Sequence, residues 1–246
     1  SIWARLHRGW GEPLRCHTRP RYCGTFTMGM TENLLSTSQW IITLLLFLVI
    51  LVRAVRSIDW PAFRKDNALQ HSFFGAAVVL GFVWQLRAGI SPGLAIHIFG
   101  ITVITLMLGW ALAVLAGLLA LVITVITGRE PLIMFAANGL ITVMVPAIVS
   151  HGIMLWERRR DFRNFFAYIF FCGFFGAGIS VAAAGGVMCL MLWSSGVYTF
   201  DQLVHEYIRY LPLFMIPEGF VNGTFVTGLM VFHPDRLTTL DQRRYR

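Results

Sequence analysis

His97 stands alone inside the apolar run PGLAIHIFGITVITLMLG, residues 92–109. An ionisable side chain at bilayer depth costs a few kcal/mol or more, so it is kept for a partner, a substrate or a metal. Imidazole is also the commonest metal ligand among protein side chains. A second ionisable group, Glu218, lies in LPLFMIPEGFVNG, and Asn138 and Asn222 are the other strongly polar residues well inside apolar stretches. Each has a structural reading beside the chemical one. A histidine can bond a neighbouring helix, a glutamate can be a paired carboxyl, and an asparagine can join helices. Pro217, just before Glu218, is placed to kink its helix and free a backbone carbonyl, as where transporter helices line a cavity.

The remaining reactive residues are set apart by position. His71 and His151 fall at inner ends of apolar stretches, too far from His97 to share an ion, and His205 falls in a loop. Cys16 and Cys23 lie near the start of the chain, while Cys172 and Cys189 lie inside one apolar run without zinc-site spacing. Burial is expected for the latter two. Lys65 is the only lysine and is followed by Asp66, so no phosphate-binding G-x-x-x-x-G-K-[ST] loop exists. There is no H-E-x-x-H pair, G-x-S-x-G elbow or C-x-x-C either, and the expectation is that the chain is not an enzyme. An intramembrane acid/base pair of His97 and Glu218 would lack any nucleophile or cofactor motif.

The elements that must carry these residues are membrane helices. Hydrophobic residues make up 57% of the 246-residue chain and charged residues 13%, against about 25% charged in soluble domains. A helix needs about 20 apolar residues to cross a bilayer. Roughly seven stretches qualify or nearly do: 36–55, 71–87, 92–108, 110–127, 131–155, 164–193 and 208–232. The sixth is long enough to tilt, or to break near Gly185-Gly186. With the segment before Trp40 outside, inner segments carry Arg53, Arg56, Arg64, Lys65, Arg158, Arg159, Arg160, Arg163, Arg236, Arg243, Arg244 and Arg246. Outer loops carry Arg87, Arg129 and Arg209. That asymmetry predicts an all-α, polytopic membrane helix bundle of about seven spans, N-terminus outside and C-terminus inside. In this orientation His97 and Glu218 each lie on the order of 7–8 Å below the outer ends of their spans, at one level. The scattered arginines do not form a nucleic-acid face.

Three segments carry a family resemblance: GISPGLAIHIFGITVITLMLGWALAVLAG (89–117), FAANGLITVMVPAIVSHG (135–152) and PEGFVNGTFVTGLMVFHPDRL (217–237). Together they resemble the CbiM/NikM-type permeases, the substrate-capture subunits of cobalt and nickel energy-coupling-factor transporters. The resemblance covers about residues 35–246. It implies a multi-pass protein of the cell inner membrane that takes up a divalent transition-metal cation, cobalt or nickel, as substrate. It implies no cofactor on the chain itself, and as partners two ATPase subunits and a transmembrane scaffold subunit. His97 matches the family's metal-ligating histidine, with Glu218, Asn138 and Asn222 as a supporting polar shell. The family's N-terminal Met-His pair, which completes a square-planar site, has no counterpart at Met28-Gly29 or Met30-Thr31. That departure leaves a second function open: a non-transporting metal sensor or metalloenzyme assembly factor of the same fold. Residues 1–30, rich in arginine ahead of the first span, are expected to be a disordered tail or an upstream translation artefact, and 31–246 the transmembrane permease domain.

Overall fold

The computed structural model describes residues 36–240, except 87, 92, 93, 97, 161, 163 and 197. Helix α1 (Thr37–Ser57) starts at a capping box in which Ser36 and Gln39 satisfy each other's backbone amides. Helix α2 (Trp60–Lys65) is a short turn-and-a-half ending in Arg64 and Lys65, and Asp66 caps α3 (Asn67–Val83). A two-stranded antiparallel hairpin follows, β1 (Ala88–Ser91) with β2 (Leu94–Ile96), and then α4 (Ile101–Leu108) and α5 (Trp110–Ile126). The long helix α6 (Leu132–Arg160) contains a π-helical stretch, Gly139–Met144, and α7 (Phe165–Ser194) contains another, Ile169–Phe175. The short α8 (Phe200–Glu206) leads into α9 (Leu211–Phe232) and a 3-10 turn, Pro234–Arg236.

Four continuous helical stretches are long and apolar enough to cross a membrane: Thr37–Ser57, Leu132–Arg160, Phe165–Ser194 and Phe200–Phe232. The apolar helices α3 and α5 are shorter. The expected third span, 92–108, is not one helix. Its described first part is strand β2 and the non-helical residues 98–100, and only α4 is helical, about 12 Å long against a hydrocarbon core of about 30 Å. Non-helical backbone is tolerated at such depth only where protein buries it, and α4 is buried on most of its length. Hydropathy reported burial correctly and conformation wrongly. Of the two alternatives for the sixth span, the break is absent, since α7 runs unbroken through Gly185 and Gly186; α9 carries Pro217 inside it.

Around this buried centre, α3 packs along α5, and α7 packs against both α6 and α9. Small residues permit the close contacts. A Cβ on Gly117 would stand 2.6 Å from Val143, and one on Gly139 would stand 2.8 Å from Phe47. The outward faces are apolar: Val49, Phe82, Ile216 and Phe220 are all exposed. A soluble monomer does not sustain such surface, whereas acyl chains cover it without cost. The helix ends sort into two faces. On one, Gln39 donates to Met191 O and Ser194 Oγ, and Thr127 donates to Gln85. On the other, Arg236 donates to Ser72 Oγ at 2.8 Å, and Arg158 donates to the Thr239 carbonyl.

Candidate functional site

The site is organised around the first turn of α4. Gly100 occupies the N-cap position with φ +66°, a left-handed conformation that glycine reaches without the Cβ clash other residues meet. A helix start leaves its first amides without intrahelical acceptors, and at this depth no bulk water replaces them. Helix α9 supplies the acceptors. Glu218 Oε2 accepts from Phe99 N at 2.8 Å and its Oε1 accepts from Gly100 N at 2.8 Å. Asn222, one turn further along α9, accepts from Val103 N at 3.0 Å through Oδ1. Its amide in turn donates to Glu218 Oε1 at 2.7 Å and to Glu218 O at 2.8 Å.

Glu218 is 3% and Asn222 0% exposed. A carboxylate at a helix N-terminus meets the positive end of the backbone dipoles as well as the N–H donors. Both carboxylate oxygens are engaged, so Glu218 acts by fixing backbone. Trp84 Nε1 adds a bond to Phe99 O at 3.2 Å, holding the same segment from α3. A second layer lies one residue along: Thr102 Oγ1 sits 2.8 Å from Ser150 Oγ and 3.1 Å from Ser180 Oγ, all three buried.

The structure thus brings Glu218 and Asn222 together on the start of α4. His97 lies outside the described residues, between the end of β2 and the clamped Phe99-Gly100 pair. Asn138 is buried on α6, and its amide donates to Glu130 Oε2 at 2.6 Å, a pairing the sequence reading did not include. Glu130 follows α5 directly and its own amide turns back onto Thr124 O, so a turn, not a helical repeat, makes the pair. The Thr102–Ser150–Ser180 cluster was missed too; its sequence signal is no more than a hydroxyl among others in each of three apolar helices. His71 and His205 are exposed, His205 Nδ1 lying 2.9 Å from Asp201 O, and the His151 ring lies 6.3 Å from that of Trp110. Cys172 and Cys189 are buried free thiols. Among the described residues no group of three or more His, Cys, Asp or Glu side chains stands together to hold a metal.

A helical, polytopic membrane protein with a buried polar clamp on a half-length central helix is the class that fold and site define. Residues 30–236 match the family described as the cobalt uptake substrate-specific transmembrane region, CbiM, and the chain belongs to that family. It is accordingly a membrane component of a metal-uptake transporter. The fold is shared with a solved structure described as a transition metal transporter, at TM-score 0.68 and 17% identity over 89% of this chain and 98% of that one. A truncated transition metal transporter gives the same score and identity over 83% of this chain and 99% of that one. No curated protein matches the chain.

Proposed function

We propose that this chain is the capture subunit of an energy-coupling-factor transporter, taking a divalent cobalt or nickel cation from outside the cell inner membrane. His97 is the metal ligand in this reading. The observation that carries it is the clamp of Glu218 on the amides of Phe99 and Gly100, two and three residues beyond His97. A ligand just ahead of a helix start needs the chain beyond it held, and here a buried carboxylate and a carboxamide hold Phe99, Gly100 and Val103. Glu218 and Asn222 orient this segment; Asn138, joined to Glu130, supports the bundle at another point. About seven crossings with the N-terminus outside fit the two faces described above, since the face bearing Arg158 and Arg236 also bears Arg56, Arg64 and Lys65. The chain has no phosphate-binding loop, so transport draws on ATPase partners and a membrane scaffold, and the chain itself is not an enzyme.

Calorimetric titration of Co(II) and Ni(II) into purified protein tests the reading, with stoichiometric binding expected and its loss in His97→Ala. Stoichiometric binding retained by His97→Ala would move the site elsewhere. Met28 and Met30 are followed by Gly29 and Thr31 and not by histidine, which favours one competing reading, a sensor or assembly factor. Metal uptake in cells with and without the ATPase partners decides between them: uptake unaltered by deleting this chain would leave the sensor.

A further inference from the structure

Helix α4 ends as it begins, with backbone groups that its own turns cannot satisfy, and the same segment of chain satisfies both ends. The upper amides go to Glu218 and Asn222 of α9. Below, the chain leaving α9 turns at Pro234–Arg236 and passes under the C-terminus of α4. There Thr238 N donates to Met107 O at 3.1 Å and Thr239 N to Leu106 O at 3.4 Å. The Thr239 hydroxyl donates to the same Leu106 carbonyl at 2.6 Å.

This lower contact is itself anchored. Tyr168 OH lies 3.1 Å from Thr239 Oγ1, Arg158 donates to the Thr239 carbonyl, and Leu237 is buried beside them. Thr239 is 7% exposed although it lies at the basic face of the bundle. Between its two ends α4 is a rod of eight residues, six of them buried, with Thr102 bonded sideways to α6 and α7. A short helix gripped at both termini transmits an axial displacement instead of absorbing it, because its internal hydrogen bonds fix the rise per residue.

We infer that Thr239 is a positioning residue for the cation site: it sets the axial position of α4, and through Gly100 and Phe99 the placement of the segment bearing His97. The inference rests on the cation-capture reading. Loss of the Thr239 hydroxyl removes its bonds to Leu106 O and Tyr168 OH from the inner end, on the order of 12 Å from the outer one. The change is felt as altered ligand geometry, with the bundle otherwise intact.

The test is titration of Co(II) into the purified full chain, read by calorimetry and by the visible ligand-field band of the bound metal. Thr239→Val is expected to weaken binding by up to about tenfold, the most that the net worth of one lost hydrogen bond can transmit, and to shift the band. Thr239→Ser, which keeps the hydroxyl, is expected to restore both. Thr227→Val, which removes a hydroxyl bonded within α9 to Gly223 O, is expected to leave both unchanged. Should Thr239→Val not fold, Tyr168→Phe carries the same test, with a weaker but measurable loss of about threefold. Wild-type affinity and an unmoved band in the folded Thr239→Val protein, or in Tyr168→Phe where that variant carries the test, overturn the inference alone. A wild-type chain that binds no Co(II) overturns the capture reading, and the inference with it.

Discussion

Three N–H groups converge on the two oxygens of Glu218, two of them on the buried residues Phe99 and Asn222 and the third on the half-buried Gly100. Glu218→Gln replaces one acceptor oxygen with an NH2 that must face a backbone N–H, so donor opposes donor. The loosened Phe99-Gly100 segment is expected to weaken Co(II) binding by about 10–100-fold, the usual penalty for losing a ligand's outer-shell support. Equal affinity in wild type and variant, by calorimetry, would detach the clamp from the site. Asn222→Leu keeps the branched outline but leaves the Val103 amide without its acceptor and takes from Glu218 Oε1 one of its two donors. A loss of about 1–3 kcal/mol is expected for a buried amide so orphaned, visible as a lower midpoint of thermal aggregation in detergent. Gly100 is the third critical residue. With φ at +66° and the Leu80 side chain 3.2 Å from where a Cβ would stand, Gly100→Ala is expected to cost about 1–3 kcal/mol in backbone strain. A midpoint equal to that of wild type would mean the turn relaxes.

At the scale of elements, the misread third span is instructive. Residues 99–108 are as apolar as their neighbours and mostly buried in protein, and hydropathy cannot tell protein from lipid as the covering medium. The turn chemistry was present in the chain: Gly100 at the helix start, with φ +66°, and Gly109 after its end, with φ +81°. Those glycines mark where backbone direction changes. The odd polar residues were legible from the sequence because charge and amide in an apolar run cost energy, and Glu218 and Asn222 do share a site. Their common target was not, since backbone amides carry no sequence signature. The Asn138–Glu130 pair was hidden for a related reason, being closed by a turn at Glu130-Pro131 and not by helical spacing. Close packing of α7 on α9 was likewise implied by small residues but not assigned. A Cβ on Gly223 would run into the Phe174 ring, so Gly223→Val is expected to part the helices and lower thermal stability by about 1–3 kcal/mol.

Across the whole molecule, charge is divided between the two faces that the helix ends define. Among the described residues Arg53, Arg56, Arg64, Lys65, Arg158, Arg159, Arg160 and Arg236 gather toward one face, against Arg129 and Arg209 toward the other. Two contacts bind the basic face together, Arg236 to Ser72 and Arg158 to the chain after α9, so the grouping is spatial as well as sequential. In the proposed orientation, with basic segments retained on the cytoplasmic side, Lys65 is inside and the α8 turn outside, and α4 runs from the middle of the bundle toward the inner face. Single cysteines read this directly, in a background with the four native cysteines replaced. Lys65→Cys and Asp201→Cys both occupy exposed positions. A membrane-impermeant maleimide applied to intact cells is expected to label Asp201→Cys and spare Lys65→Cys, with the pattern reversed in inside-out vesicles. The opposite labelling would put the Glu218 end of α4 nearer the cytoplasm, and a cation bound there would be one released from the cell rather than captured from outside.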